Sequence, residues 1–208
     1  MPGQLVWING LPGVGKLTIA RALRDLISDA QLVDNHSLID QVRLPRDHAD
    51  YNAERARIRD AAYASFVHPS DDAKLARVVI FTDFFTAGTI GTEWSQAHRT
   101  AAARAGRPFL PVYLTCAREE NLRRVARPER GAAGCGKLTD VALVSKFMDD
   151  STIYRFPGLG VDVDTTTRTP AESAQLILEA MKSQLAEGQF QEREDPCAWR
   201  AVTSSRIK

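Results

Sequence analysis

The chain of 208 residues is predicted to be an α/β protein of three layers, with helices covering both faces of a five-stranded parallel sheet. Five short apolar runs alternate with longer segments of helical periodicity. The runs are β-branched or aromatic and nearly continuous, which is typical of strands that are buried on both faces of a sheet. They are Gln4–Asn9, Ala30–Asp34, Arg77–Asp83, Phe109–Cys116 and Gly160–Thr166.

The segments between these runs carry the signals of helices. The first of them, residues 16–27, places its apolar side chains on one face. The last begins with Thr169 as a predicted N-cap and Pro170 at the first helical position. Further helices are predicted within residues 92–106, 118–128 and 138–150.

The organisation along the chain predicts one domain over residues 1–186, which is long enough to bury a sizeable core. Residues 35–74 exceed what a plain crossover between strands needs, so they are interpreted as an insertion on the substrate side. A lid is predicted at about residues 124–140. Residues 187–208 are polar, lack periodicity and are interpreted as a C-terminal tail.

Composition narrows the class of protein. The formal net charge is +1, from 27 basic and 26 acidic residues, which gives no electrostatic reason to expect a nucleic-acid or anionic membrane partner. No apolar run approaches the roughly 20 residues of a membrane helix, and the N-terminus lacks the pattern of a signal peptide. Three widely spaced cysteines suit a reducing compartment. A cytoplasmic enzyme or binding domain is therefore expected. Its oligomeric state is expected to be a monomer or a homodimer, and the sequence does not distinguish the two.

The stretch GLPGVGKLT follows the first predicted strand and precedes an amphipathic helix. In this context backbone N–H groups wrap a phosphate and the helix N-terminus attracts the anion. Glycines permit the backbone angles and the close approach that a Cβ would block, and the lysine supplies a point charge. The predicted nucleotide-binding residues are Gly10, Leu11, Pro12, Gly13, Val14, Gly15, Lys16, Leu17 and Thr18.

A second copy of this spelling, GAAGCGKLT at Gly131–Thr139, has no strand before it. It follows a cationic helix and therefore lacks the geometry of a phosphate loop. It is interpreted as a flexible, glycine-rich hairpin or lid.

The first copy resembles the phosphate loop of adenylate kinase and other nucleoside monophosphate kinases, within the group of small P-loop kinases that includes shikimate kinase, gluconate kinase and chloramphenicol phosphotransferase. The resemblance implies a P-loop domain with strand order 2-3-1-4-5 that binds ATP and Mg²⁺. It places Thr18 at the phosphates or the metal, although Leu17 stands where the strict pattern has Ser or Thr. It also places the strand-end Asp83 near Mg²⁺; a capping or loop role is the alternative.

The resemblance further implies an acceptor-side carboxylate. In shikimate kinase and chloramphenicol phosphotransferase an aspartate after the second strand meets the substrate hydroxyl, and Asp34 is the matching position. A carboxylate there can orient the hydroxyl and accept its proton. The alternative is that Asp34 only caps the next short helix.

Arginines follow the fourth predicted strand, where these kinases begin an arginine-bearing lid. Arg124, Arg127 and Arg130 are spaced three apart, so a helix groups them loosely on one side. Such arginines neutralise charge on the transferring phosphoryl group. The alternative is a solvated basic helix paired with Glu119 and Glu120.

The predicted function is an ATP-dependent transfer of the γ-phosphate to a hydroxyl of a small molecule, a metabolite or an antibiotic, with Lys16, Asp34 and the lid arginines as catalytic residues. Two alternatives stay open at this point. One is a kinase of nucleotides or of nucleic-acid ends. The absence of a Gly-Phe-Pro-Arg segment after Asp83 weighs against a nucleotide acceptor, and the balanced charge weighs against a nucleic acid. The other is an ATP-binding regulatory or resistance protein without turnover.

Overall fold

The structure is a computed structural model that describes residues 1–128 and 138–194, with side chains described as far as residue 187. A five-stranded parallel sheet has the order β2-β3-β1-β4-β5, which confirms the predicted order. Its strands are β1 (Leu5–Gly10), β2 (Gln31–Asp34), β3 (Val79–Asp83), β4 (Phe109–Thr115) and β5 (Val161–Asp164).

Helices connect these strands. In chain order they are α1 (Lys16–Leu26), α2 (Asn35–Ile39), α3 (Tyr51–Ala62), α4 (Asp72–Leu75), α5 (Thr89–Arg104), α6 (Arg118–Val125), α7 (Val141–Asp150) and α8 (Pro170–Glu194). A π-helical turn, Tyr63–Val67, continues α3. Helix α8 runs past residue 186 to Glu194, so the first part of the predicted tail is helical. No helix of the described residues is long and apolar enough to span a bilayer.

Alternating strand residues divide the core into two halves. Trp7 and Phe81 pack below the sheet with α3, the π-helical turn and α5. Ile8 and Ile80 pack above it with α1 and α8. This alternation decides which helix layer a polar residue at a strand end will face.

The predicted start of α8 is confirmed as a capping box. The hydroxyl of Thr169 accepts a hydrogen bond from the backbone N–H of Glu172 at 3.2 Å. The carboxylate of Glu172 in turn accepts from the backbone N–H of Thr169 at 2.7 Å. These two bonds satisfy helix-terminal donors that would otherwise lack partners.

Arg107 links the segments that lie at the amino-terminal ends of the strands. Its buried guanidinium donates to the backbone carbonyls of Val67 at 2.9 Å, Gly3 at 2.9 Å, Arg77 at 2.7 Å and Phe66 at 3.2 Å. Burial lowers the pKa of Arg107. The opposite edge, where all five parallel strands end, is where ligands bind in open α/β sheets.

Candidate functional site

The loop between β1 and α1 has the backbone of a phosphate cradle. A Cβ on Gly10 would lie 2.8 Å from the carbonyl oxygen of Leu114, so only glycine fits there. Gly13 and Gly15 have φ values of 99° and 97°, which non-glycine residues rarely adopt. Among the described residues no side chain caps the N-terminus of α1, and its first turn has no acidic residue. The positive end of α1 is therefore available to an anion.

Lys16, the first residue of α1, extends back across this loop. Its ammonium donates to the carbonyl oxygens of Gly10 at 2.7 Å and Leu11 at 2.9 Å. The charge therefore lies against the backbone of the loop.

Asn9 ties the loop to the neighbouring segments. Its amide nitrogen donates to the carbonyls of Phe85 at 3.0 Å and Tyr154 at 3.1 Å. Its amide oxygen accepts from the backbone N–H groups of Gly10 at 3.0 Å and Phe85 at 2.9 Å. One fully buried side chain thus fixes the residue that starts the loop.

A cleft of about 650 Å³ opens beside the loop. This volume is in the range of small-molecule sites. Its walls come from the loop and α1, from the end of α6 and from the connection between β5 and α8. The lining residues are Gly13, Val14, Gly15, Thr18, Ile19, Glu120, Arg124, Arg127, Pro128, Thr165, Arg168 and Pro170.

Of the predicted lid arginines, Arg124 forms part of a fixed wall. Its Nη2 donates to the carbonyls of Thr165 at 2.7 Å and Thr166 at 3.2 Å, and its Nε donates to Glu120 at 2.7 Å. Hydrogen bonds from Arg123 and Arg124 lower the pKa of Glu120 to about 2. Arg124 thus joins α6 to the β5–α8 connection.

Of the other two predicted lid arginines, only Arg127 lies within the described residues. Arg127 is exposed and lines the cleft. Arg130 lies outside the described residues, as do most of the predicted lid and of the second GKLT copy.

Two residues of the β5–α8 connection, Thr165 and Arg168, line the cleft. Thr165 is buried, with its hydroxyl 3.0 Å from the carbonyl oxygen of Val14 and 2.9 Å from that of Thr115. Arg168 is exposed and donates to the carbonyl of Asp164 at 2.7 Å. The only sequence signal for them is their position between the last strand and the last helix.

Asn121 of α6 is a further neighbour of the loop that sequence reasoning missed. It is fully buried, and a Cβ built on Gly13 would lie 1.9 Å from its Oδ1. Neither polar atom of this side chain has a hydrogen-bond partner among the described residues.

Asp34 ends β2 on the same face of the sheet as α1. Its Oδ1 accepts from the hydroxyl of Thr82 at 2.7 Å, and Thr82 is in turn the β3 neighbour of Ile8. The side chain makes no capping hydrogen bond to α2 and stays half-exposed. The structure therefore puts an accessible carboxylate on the phosphate-loop side, at the carboxyl edge.

Asp83 ends β3 on the opposite face and is only 1% exposed. It accepts from Trp7 Nε1 and Arg59 Nη1, both at 3.0 Å, and lies 3.0 Å from His98 Nε2. Burial acts to raise the pKa of Asp83, but the Arg59 charge and the His98 hydrogen bond hold it below its ordinary value. A carboxylate with three protein partners has no accessible oxygen for a metal, so this placement disagrees with the predicted metal role of Asp83.

Leu17 and Thr18 occupy different sides of α1. Successive helical residues are about 100° apart, so the hydroxyl of Thr18 does not take the direction of the Leu17 side chain. Thr18 is exposed and lines the cleft, whereas Leu17 is half-buried.

Comparison with known proteins relates the fold to kinases. No protein-family model and no curated protein matches the chain. A gluconokinase from Sinorhizobium meliloti 1021 is similar with a TM-score of 0.59 and 15% identity, over 92% of this chain and 97% of that one. The Mycobacterium tuberculosis APS kinase CysC, in complex with AMPPNP and APS, gives 0.56 and 19%, over 87% and 98%.

A shikimate kinase from Acinetobacter baumannii, in complex with shikimate, gives a TM-score of 0.53 and 18% identity, over 88% and 94% of the two chains. Sequence identity to all three structures is low. The similarity shows that the chain has the fold of small P-loop kinases.

Proposed function

We propose that the protein is an ATP-dependent phosphotransferase that moves the γ-phosphate of ATP to a hydroxyl group of a small molecule. The observation that carries this proposal is the uncapped loop Gly10–Thr18, which presents the N-terminus of α1 and the Lys16 ammonium beside a cleft of about 650 Å³. The fold shared with kinases, one of them in complex with AMPPNP, supports it.

The nucleotide would bind along this cleft. The backbone N–H groups of the loop and Lys16 would hold the phosphates, and Thr18 would contact them from the first turn of α1. The base would lie between α6 and the β5–α8 connection, where Arg124 and Arg168 supply planar guanidinium groups and Pro170 an apolar surface. The bonds of Arg124 to Thr165 and Thr166 would keep this wall in place without the nucleotide.

The residues at the loop fit a magnesium ion that is held mainly by the nucleotide. Mg²⁺ usually keeps several waters and binds substrate phosphates with one or two protein carboxylates. Thr18 would hold the ion together with the phosphates, because its hydroxyl lies in the cleft. When bound, the ion would neutralise phosphate charge.

Asp34 would act on the acceptor. The acceptor oxygen forms a bond to the γ-phosphorus while the bond from that phosphorus to the β–γ bridging oxygen breaks, and ADP leaves with the electron pair. Asp34 would orient the hydroxyl and accept its proton late in the transfer. The hydrogen bond from Thr82 would hold the carboxylate in position. Arg127, and Arg130 beyond the described residues, would neutralise charge on the transferring group.

The first test is ADP formation from ATP and Mg²⁺ with a panel of hydroxylated acceptors. Lys16→Ala is expected to lower kcat/KM at least about 100-fold, and Asp34→Asn to lower kcat by about 10²–10⁴-fold. Lys182→Ala and Asp72→Asn, two exposed sites on α8 and α4, are matched controls and should leave both constants unchanged. Unchanged ATP affinity and turnover in Lys16→Ala would overturn the proposal.

A nucleotide-binding protein without turnover is the second candidate, because Leu17 puts an apolar side chain where the strict loop has a hydroxyl. Such a protein would bind ATP in a Lys16-dependent manner and yield no ADP with any acceptor. In either case a cytoplasmic location and a monomeric or homodimeric state stay predictions.

A further inference from the structure

Among the arginines of the described residues that are not exposed, Arg55 differs from the others because its guanidinium group contacts aromatic rings and not polar acceptors. Within the described residues, buried and half-buried arginines other than Arg55 have polar acceptors for their guanidinium groups. These pairings are Arg59 with Asp83, Arg77 with Asp29, Arg124 with Glu120, and Arg107 with backbone carbonyls. Arg55 contacts aromatic rings instead, since its guanidinium carbon lies 4.1 Å from the ring centroid of Trp94 and 5.8 Å from that of Tyr51.

The charge around Arg55 is predominantly positive. Burial, and then the nearby charges of Arg59 and Arg46, lower the pKa of Arg55 to about 10, so it remains a cation at neutral pH. The carboxylate whose charge acts to raise the pKa of Arg55, Asp83, is already bound to Arg59 and His98. Aromatic faces stabilise a cation but leave its N–H donors without acceptors. The site therefore has hydrogen-bond donors and positive charge for an anion.

Contacts place Arg55 at the carboxyl edge of the sheet. Asn9, at the start of the phosphate loop, binds the backbone of Phe85. The ring centroid of Phe85 lies 5.4 Å from that of Trp94, which is the ring that Arg55 contacts. One turn further along α3, Arg59 donates to Asn35, the residue after Asp34, at 2.9 Å. Arg55 is thus connected to the loop and to the segment that carries the proposed acceptor carboxylate through neighbouring residues.

We propose that Arg55 binds an oxyanion of the acceptor, so that the acceptor is a small molecule carrying both a hydroxyl and a carboxylate or phosphate group. This inference rests on the proposed phosphotransfer. The planar guanidinium binds either oxyanion through two parallel hydrogen bonds. Trp94 and Tyr51 fix its orientation. Neutral polyols and cationic acceptors lack the matching charge.

Binding is measured first, without turnover, on the full chain saturated with AMPPNP and Mg²⁺ so that the phosphate loop is filled. The readout is the indole N–H resonance of Trp94, assigned with Trp94→Phe. The probes share a six-carbon chain: gluconate carries a carboxylate, glucose 6-phosphate carries a phosphate, and sorbitol carries neither. Saturable shifts are expected with one or both anions and none with sorbitol.

Variants of α3 test the assignment to Arg55. Arg55→Gln and Arg55→Met are expected to weaken anion binding roughly 10- to 100-fold, which is the loss of one hydrogen-bonded charge pair. The methionine keeps the contact with Trp94, and unchanged AMPPNP affinity reports that each variant is folded. Arg57→Gln is the matched control, because Arg57 lies on the same helix, pairs with Glu54 and is exposed.

The two anions separate the sources of the oxyanion: a shift with gluconate alone indicates a carboxylate, and a shift with glucose 6-phosphate alone indicates a phosphate. Equal shifts with sorbitol, no shift with either anion, or unaltered binding in both Arg55 variants would overturn the inference. Turnover distinguishes the two proposals. Anion binding that needs Arg55, without ADP from any acceptor, refutes the phosphotransfer alone. Turnover of a neutral acceptor that is unchanged in Arg55→Gln refutes the anion site alone.

Discussion

Replacing Asp83 by Asn tests whether this carboxylate holds the core together. The substitution keeps the shape of the side chain and removes its charge. Arg59, with a side chain 6% exposed, would then be a buried cation without its partner, and His98 and Trp7 would face an amide in place of a carboxylate.

Removing one member of a buried ion pair typically costs about 3–5 kcal/mol. For a chain of this length, 1 kcal/mol shifts the melting temperature by about 2–4 °C. Asp83→Asn is therefore expected to melt about 6–20 °C below the wild type. The matched control is Asp25→Asn. Asp25 forms an exposed ion pair with Arg24 at 2.7 Å, so losing this pair is expected to lower the free energy of unfolding by less than about 1 kcal/mol.

Thermal and urea unfolding followed by circular dichroism measure the loss, and AMPPNP binding at low temperature is measured with and without Mg²⁺. Because Asp83 faces away from the phosphate loop, the variant should keep the magnesium dependence of the wild type while it is folded. A variant of unchanged stability that had lost only its magnesium dependence would refute the structural role and restore Asp83 as a metal ligand.

Three further predictions concern single side chains. Burial holds the pKa of His98 below 6.5, so as the pH falls the unfolded chain takes up a proton on this residue before the folded chain does. The free energy of unfolding should therefore decrease below pH 6.5, by up to about 1.4 kcal/mol per pH unit. Urea titrations of His98→Gln should lack this decrease. Gly13→Ala should lower the free energy of unfolding by about 2–4 kcal/mol and weaken AMPPNP binding, because φ is 99° and the new Cβ would lie 1.9 Å from Oδ1 of Asn121. Gly88→Ala is the control, since its new Cβ would have its nearest contact at 3.9 Å. It should cost less than about 1 kcal/mol in the same urea titrations. Arg107→Met should cost about 2–5 kcal/mol in thermal unfolding by leaving buried carbonyls without donors, and a loss below 1 kcal/mol would contradict this.

The strands and the phosphate loop were predictable because their signals are local. A run of buried apolar residues identifies a strand, and the glycines with Lys16 depend on spacing within one turn. The strand ends were placed to within one or two residues, as for Gln4–Asn9 against the observed β1.

The face of the sheet on which each of the two strand-end aspartates lies could not be predicted from the sequence. Asp34 and Asp83 both end apolar runs, but a strand buried on both faces does not reveal which face a residue takes. Only the register, with Asp34 opposite Thr82, separates the loop face from the core face. Arg124 and Arg55 likewise contact partners far along the chain, Thr165 and Trp94, so spacing alone did not reveal these contacts.

The acceptors of Arg107 are all main-chain atoms, and this has a consequence for sequence variation. The segments around Phe66, Lys74 and Arg77 contribute peptide oxygens, which every amino acid possesses. The bonds therefore depend on the path of the backbone and not on which side chains stand at these positions, whereas position 107 requires a forked, multidentate donor. In related chains, substitutions at the acceptor positions should therefore disturb these bonds only when they move the backbone.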